Sequence, residues 1–257
     1  MRIVLTFTLT VCVAVPLAWG QQADTQKLGL PELLSNLQSK DPTVRSRSYE
    51  ALRSDADAMR SKEVQSALLD LLDREDREIE STLRASHERE GVGEGYAEYV
   101  AELGDTVGSY ADWTDTHQVC ILVRQAYEWQ TRFAGTVAAH AKVSIPCLIQ
   151  MYRSDVGLTR AEAAPTLVRA LADRRDGLDP YIAQEARRVV LRALQDPSEA
   201  VRSKTIKSLE RFGTPEMIPS LRDVAKSDPA GDADHGFWIR EYAVHAIAAI
   251  QSRAAQP

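Results

Sequence analysis

Acidic, histidine and cysteine side chains are the residues of this chain that could carry out catalysis or bind a metal ion. His87-Glu88 begins the His-Glu-x-x-His pattern that binds zinc from one helix face, but Gly91 stands where the second histidine is required. Asp232, Asp234 and His235 form a second group, which could hold a divalent cation. We expect these three residues to cap the following helix from a solvated loop, and metal binding is the alternative.

Motifs for nucleophilic catalysis and for phosphate binding are missing from the sequence. It contains no Gly-x-Ser-x-Gly pattern and no Ser-x-x-Lys pattern with its companion motifs. Cys120 lies between Val119 and Ile121 in an apolar run, where burial disfavours a reactive thiolate. The glycines at 91, 93 and 95 precede neither a lysine nor a strand-to-helix junction, as a phosphate loop would. We therefore expect no enzymatic activity and no cofactor.

The first twenty residues, MRIVLTFTLTVCVAVPLAWG, have the pattern of a secretory signal peptide. Arg2 precedes an apolar run, and the small residues Ala18 and Gly20 precede Gln21 as a signal peptidase requires. We expect residues 1–20 to be cleaved and the protein to be exported, either to the periplasm or as a secreted protein. The alternative is a short membrane anchor, although the run is short for that and Pro16 interrupts it.

Cys120 and Cys147 are the two cysteines that remain after residues 1–20 are removed. In an oxidising compartment two such cysteines can form a disulfide. The alternative is a pair of free thiols buried in helix faces, and the spacing does not distinguish the two.

Charge is distributed unevenly along this acidic chain, whose formal net charge is −6. Residues 73–115 hold 13 acidic and 4 basic residues, whereas residues 187–211 hold 7 basic and 3 acidic residues. Lys204, Lys207 and Arg211 share one helical face of the basic segment. Nucleic-acid binding requires an excess of lysine and arginine over the whole molecule, so we expect no nucleic-acid partner.

Two stretches far apart in the chain have almost the same pattern. LQSKDPTVRSRSYEAL at 37–52 and LQDPSEAVRSKTIKSL at 194–209 share the leucine start, the Asp-Pro pair and Val-Arg-Ser. Apolar residues before and after each Asp-Pro recur at helical spacing, which predicts two helices joined by a short turn. A helical hairpin with one apolar face cannot bury that face alone, so such units stack into a continuous core.

The order apolar helix, Asp-Pro turn, Val-Arg and Ala-rich helix resembles HEAT repeats, in particular the short HEAT-like repeats of bacterial proteins. Good matches cover residues 30–84 and 144–253. The resemblance implies an all-α fold, an α-solenoid of stacked helical hairpins. It also implies a ladder of turn aspartates and helix arginines that links successive repeats, and we assign it to Asp41, Arg45, Asp196, Arg202 and Arg240.

Residues 85–143 do not follow the repeat pattern and divide the chain into segments. We predict a signal peptide at 1–20, HEAT-like repeats at 21–84 and 144–253, an acidic and aromatic insertion with a long helix at 85–143, and a tail at 254–257. Five aromatic residues of the insertion are candidates for a specific role: Tyr96, Tyr99, Tyr110, Trp113 and Trp129. We expect these rings to fill the gap between the two repeat blocks. The alternative is that they anchor a binding partner, as tyrosine and tryptophan often do.

Architecture and the lack of catalytic motifs together predict an exported, non-enzymatic scaffold. It would bind a protein or peptide in the cell envelope or outside the cell, with no membrane span after signal cleavage. The resemblance leaves one enzymatic alternative, because some HEAT-like repeat proteins are lyases that attach bilin pigments to proteins. A third hypothesis is a cation-binding structural module of the envelope that uses the loop at 228–236.

Overall fold

The computed structural model of this protein describes residues 28–86, 94–124, 136–137, 139–172, 177–231 and 236–256. Within these ranges the chain forms α-helices and two short 3-10 helices, and no β-strand, which confirms the predicted all-α class. None of the described helices is both long and apolar enough to cross a membrane. The helices are α1 (Leu30–Asn36), α2 (Pro42–Arg53), α3 (Lys62–Ser86), α4 (Glu94–Tyr110), α5 (Thr116–Arg124), α6 (Ala141–Tyr152), α7 (Gly157–Ala172), α8 (Pro180–Ala193), α9 (Glu199–Phe212), α10 (Ile218–Ser227) and α11 (Trp238–Ala254).

Asp-Pro pairs begin two of these helices by the same mechanism. The Asp41 carboxylate accepts a hydrogen bond of 2.8 Å from the Thr43 amide at the start of α2. The Asp179 carboxylate accepts one of 2.7 Å from the Tyr181 amide at the start of α8. A proline at the first helical position suits both starts because its nitrogen has no hydrogen to leave unpaired. The Asp196 carboxylate likewise accepts a hydrogen bond of 2.9 Å from the Ser198 amide, but α9 begins only after Ser198, and the same carboxylate also accepts bonds from an arginine of another helix.

The C-terminal helices form hairpins that stack in two layers. α7, α9 and α11 are neighbours in one layer, and α6 and α8 are neighbours in the other. α10 packs against α11 as the first helix of the last hairpin. In the N-terminal part, α1 packs against α2 and α3 packs against α4.

Two large apolar clusters make up the core, and α5 contributes to both of them. Ile121 and Leu122 belong to the N-terminal cluster, together with buried residues of α2, α3 and α4. Val119 and Val123 belong to the C-terminal cluster, which extends to α11. These two pairs lie on different sides of α5 because successive helical residues are separated by about 100°. The segment predicted to be a non-repeat insertion therefore supplies helices that connect the two repeat blocks.

The predicted segment boundaries at residues 84 and 143 fall close to helix ends in the structure. Residue 84 lies near the end of α3, and residue 143 lies in the first turn of α6. The long helix predicted after residue 115 is described only as α5, and residues 125–135 lie outside the described ranges.

Candidate binding surface

Arg160 links the first turn of the C-terminal block to the second. Its Nε and Nη2 atoms donate to the two carboxylate oxygens of Asp196, both at 2.9 Å. Its Nη1 atom donates to the backbone oxygens of Ser154 and Asp155, at 3.0 and 3.1 Å. One guanidinium group thereby holds its own turn and the following one.

Arg202 makes the same set of contacts one repeat later. Its Nε and Nη2 atoms donate to Asp228 at 2.6 and 3.1 Å, and its Nη1 atom donates to the backbone oxygens of Asp196 and Pro197 at 2.8 and 3.2 Å. Arg240 ends the series, because its Nε atom donates to the Asp228 backbone oxygen at 2.7 Å. We call Arg160, Asp196, Arg202, Asp228 and Arg240 the arginine ladder.

The carboxylates of the arginine ladder serve as structural cross-links, because their oxygens are occupied by hydrogen bonds from arginines. Burial by itself would raise the pKa of the Asp196 carboxyl, but hydrogen bonds from Arg160, from the Ser198 amide and from Tyr152 lower that pKa below its usual value. Asp228 is 2% exposed at its side chain and accepts hydrogen bonds at both carboxylate oxygens from the guanidinium fork of Arg202. These carboxylates are committed to arginines and are not available as acid–base catalysts.

The N-terminal block has a related contact that uses a different carboxylate. Arg45 is fully buried, and its Nε and Nη2 atoms donate to Glu75 at 2.5 and 2.8 Å. Its Nη1 atom donates to the backbone oxygens of Ser39 and Lys40. Asp41, which was assigned to the ladder, instead caps α2 and makes no ion pair with Arg45. The assignment of Asp41 is therefore corrected, because its short side chain is used by its own helix.

Two of the predicted anchor tyrosines contact the same buried carboxylate. The hydroxyl groups of Tyr96 and Tyr99 both donate to Glu75, the latter at 3.3 Å. Tyr99 is 9% exposed and packs edge-on against Tyr49, with 5.7 Å between ring centroids. Burial, followed by the nearby Glu75 charge, raises the pKa of both hydroxyls, so they stay protonated donors. These rings are part of the core and do not form a docking surface.

Tyr110 and Trp113 also point inward. The Tyr110 hydroxyl donates to the Gln65 backbone oxygen at 3.3 Å, and the Trp113 indole nitrogen donates to the Gly108 oxygen at 3.3 Å. Trp113 packs against both apolar clusters and stacks on His140 with 5.9 Å between centroids. These contacts fit the expectation that the rings fill the gap between the two repeat blocks. They do not fit the alternative assignment of the rings as anchors for a partner. Trp129 lies outside the described residues.

The remaining predicted binding residues lie on the layer formed by α7, α9 and α11. Lys204 pairs with Glu162 of α7, and the Lys207 ammonium lies 4.6 Å from the ring centroid of Tyr242 on α11. Arg211 is exposed and has no ion-pair partner within the described ranges. Arg169 of α7, which the sequence analysis did not select, extends this set of cations to a fourth member. We call Arg169, Lys204, Lys207 and Arg211 the basic face.

Apolar groups lie next to the cations of the basic face. The Phe212 ring is 36% exposed and lies 5.7 Å from the Arg169 guanidinium carbon. The acidic residues of α9 are Glu199, which accepts a hydrogen bond from the Trp238 indole, and the exposed Glu210. A surface with cations next to exposed apolar groups can bind a partner that is acidic and partly apolar.

Three further predictions about chemistry concern cysteine and metal ligands. Cys120 and Cys147 are joined in a disulfide between α5 and α6, which is one of the two alternatives left open above. Asp232, Asp234 and His235 lie outside the described residues, and the described residues contain no group of metal ligands. His245 lies in an apolar stretch of the sequence, but it is exposed because it lies on the outer side of α11.

Helical hairpins stacked in two layers, with buried arginines linking successive turns, define the chain as an α-solenoid of helical repeats. Residues 145–235 match the family model described as HEAT repeats, which confirms the HEAT-like repeats predicted for this block. A comparison with curated proteins gave no match.

A solved structure similar to this chain is the crystal structure of an engineered protein, a Northeast Structural Genomics Consortium target. It is 15% identical over 86% of this chain and 96% of its own length, with a TM-score of 0.36.

Sequence reasoning missed the residues that complete the cross-links, namely Arg160, Asp228 and Glu75. The sequence did contain a signal for Arg160. It lies six residues after Ser154, whose backbone oxygen it contacts, and Arg45 and Arg202 lie at the same spacing from the turn residues that they contact. Asp228 was visible as a second Asp-Pro after Asp196. No comparable pattern marked Glu75, whose role depends on tertiary packing.

Proposed function

We propose that this protein is an exported, non-enzymatic scaffold that binds an acidic segment of a partner protein on the basic face. HEAT repeats generally mediate protein–protein interaction, and a stack of repeats offers a continuous surface across several helices. The observation that carries the proposal is the clustering of four cations on two adjacent helices of a chain with net charge −6.

The chemistry of the basic face favours a protein segment that carries carboxylates and at least one apolar side chain. Arg211 and Lys207 are exposed, so a partner carboxylate can reach both without displacing an acidic residue of this chain. Phe212 offers exposed apolar surface next to Arg169 of the same face. A nucleic acid would use the cations but not the apolar groups, and the negative charge of the rest of the chain would repel it.

Export is the second part of this proposal. It is supported by the signal-peptide pattern at residues 1–20 and by the disulfide between Cys120 and Cys147, since disulfides persist mainly in oxidising compartments. N-terminal sequencing of the protein recovered from its host should find Gln21 as the first residue. A mature chain that starts at Met1 in the cytoplasm would refute export.

The docking site can be tested with two matched charge reversals. Lys207→Glu/Arg211→Glu changes the basic face, and Arg222→Glu/Lys226→Glu changes the same residue types at the same spacing on α10. All four residues are exposed, so neither double variant removes a core contact. The wild type and both variants would be used to capture proteins from the host cell envelope, and the retained protein would then be titrated against each purified variant.

The proposal expects one acidic partner that binds the wild type and the α10 variant equally and the basic-face variant at least about tenfold more weakly, because like charges then face each other. Its binding should also weaken with added salt. If both variants bind the partner as the wild type does, the basic face is not the site. If nothing saturable is retained, the scaffold function is refuted.

A further inference from the structure

A cavity lies at the junction of the two repeat blocks, away from the basic face. Its volume is about 440 Å³, and it is enclosed by the second half of α3, by α5 and α6, and by the first turn of α7. Pockets that hold small organic molecules have volumes of roughly 300–1,000 Å³. The cavity is thus large enough for a small molecule.

Three buried side-chain atoms on the cavity wall have no hydrogen-bond partner among the residues that the structure describes. They are the Thr159 hydroxyl oxygen, the Arg124 Nε atom and one of the two carboxylate oxygens of Asp76. Thr159 is 7% exposed, so bulk water does not satisfy its hydroxyl group. A buried polar atom without a partner costs about 1–3 kcal/mol, and a ligand that supplies the missing bonds would recover it.

One of the four arginines that line the cavity forms no ion pair within the described residues. Arg84 is paired with Asp155, with Nε 3.0 Å from the carboxylate. Arg77 and Arg124 are both paired with Asp73. Arg153, by contrast, forms no ion pair in the described ranges and contacts only the Gln150 side-chain oxygen at 3.4 Å. The guanidinium of Arg153 therefore remains available for an anion.

The first turn of α7 adds a second source of positive potential. Thr159 is the third residue of this 16-residue helix, where backbone amides have no intrahelical acceptor. The N-terminus of a helix attracts anions through these amides and the helix dipole. The unpartnered Thr159 hydroxyl lies at this same end, and it can donate to the anion that the amides and arginines attract.

The rest of the cavity wall limits the kind of anion that fits. Asp76 and Glu80 also line the cavity, so a ligand with several negative charges would be repelled. Met151 and the Cys120–Cys147 disulfide provide apolar wall. These features together suit a ligand with one anionic group and an apolar body.

We propose that this cavity binds a small organic anion, with its carboxylate or phosphate held by Arg124, Arg153 and Thr159 and its apolar body against Met151 and the disulfide. The site is distinct from the basic face and goes beyond the scaffold function. Loss of one should leave the other intact, because the basic face and the cavity share no residue.

The test uses three probes that differ in one group: benzoate, phenyl phosphate and the neutral benzamide. Each would be titrated into the purified full chain by isothermal titration calorimetry. The variants are Arg153→Gln, which alters an exposed side chain, and Thr159→Val, which removes the hydroxyl and keeps the shape. Arg188→Gln on α8 is the control, since it changes charge equally at an exposed residue outside the cavity.

The proposal expects one-to-one saturable binding of benzoate or phenyl phosphate, with benzamide at least about tenfold weaker. The better of the two anions identifies the anionic group. Binding should fall about tenfold in each cavity variant and stay unchanged in Arg188→Gln, and all variants should melt near the wild-type temperature. The proposal is overturned if neither anion saturates the protein, if benzamide binds equally well, or if Arg153→Gln binds the anion as the wild type does.

Discussion

Arg202 and Asp228 are joined through two hydrogen bonds, Nε to Oδ2 at 2.6 Å and Nη2 to Oδ1 at 3.1 Å, although 26 residues separate them in the chain. Their side chains are 9% and 2% exposed. A pair so thoroughly removed from water is sensitive to loss of either member, because the remaining charge stays buried and unpaired.

Arg202→Ala should lower the free energy of unfolding by about 3–5 kcal/mol, because it leaves the Asp228 carboxylate buried without its counter-ion. Chemical denaturation followed by circular dichroism measures this. Arg202→Leu combined with Asp228→Leu should cost less than the sum of the two single changes, because both charges are then gone. Arg188→Ala, at an exposed pair with Glu185, serves as the control and should cost less than about 1 kcal/mol.

Asp196 should make the stability of the protein sensitive to acid. Its pKa is lower in the folded chain than the ordinary value of about 3.9, so its contribution is fully present above about pH 4 and is lost as the pH falls through the folded pKa. Asp196→Asn should therefore be less stable at pH 6 and depend less on pH below about 4 than the wild type.

Urea titrations at pH 6, 4 and 3 would measure this difference. Asp57→Asn, at a side chain that is 92% exposed, is the matched removal of one negative charge. The prediction is contradicted if the unfolding free energies of the wild type and of Asp196→Asn change by the same amount between pH 6 and pH 3.

The Cys120–Cys147 disulfide should stabilise the junction between α5 and α6. It closes a sequence separation of 27 residues, for which loop-closure entropy predicts about 3–4 kcal/mol. Cys120→Ser/Cys147→Ser should lower the melting temperature, and a reductant should lower that of the wild type but not that of the double variant. Equal wild-type melting temperatures with and without reductant would show that the bridge contributes nothing.

Trp113 should be a stability residue rather than a binding residue. It packs against both apolar clusters, so Trp113→Ala should cost about 2–4 kcal/mol of unfolding free energy. The folded fraction should still bind the acidic partner of the basic face. Tyr181→Ala is the aromatic control, because that ring is 72% exposed and should be replaceable at little cost. A stable Trp113→Ala protein that no longer binds the partner would restore the anchor hypothesis.

Helices and repeats were predictable from the sequence because their causes are local. Apolar spacing and Asp-Pro caps act within a few residues, and α2 and α8 begin where those signals place them. Asp196 shows the limit of this reasoning. Its carboxylate accepts a hydrogen bond from the Ser198 amide of its own turn, which is a local contact, but it also binds Arg160 of another helix, and only the stacking of the hairpins brings Arg160 within reach.

Tertiary packing likewise decides that Arg45 binds Glu75. Asp73 stands one repeat length after Asp41 in the sequence, but α3 continues through that position as one helix. Two residues along a helix correspond to a rotation of about 200°, so Asp73 and Glu75 lie on nearly opposite sides of α3. Arg45 contacts Glu75, and Asp73 pairs with Arg77 and Arg124.

The sequence by itself determined the helical class, the repeated hairpin and the identity of the cysteines that could pair. Tertiary structure alone decided which carboxylate each arginine binds, that the tyrosines of α4 point inward, and that a cavity remains where the two blocks meet. The physical reason is that the two kinds of interaction act over different separations along the chain. Backbone hydrogen bonding and capping depend on neighbours within one or two helical turns, whereas burial and charge pairing depend on which helix faces meet after the hairpins have stacked.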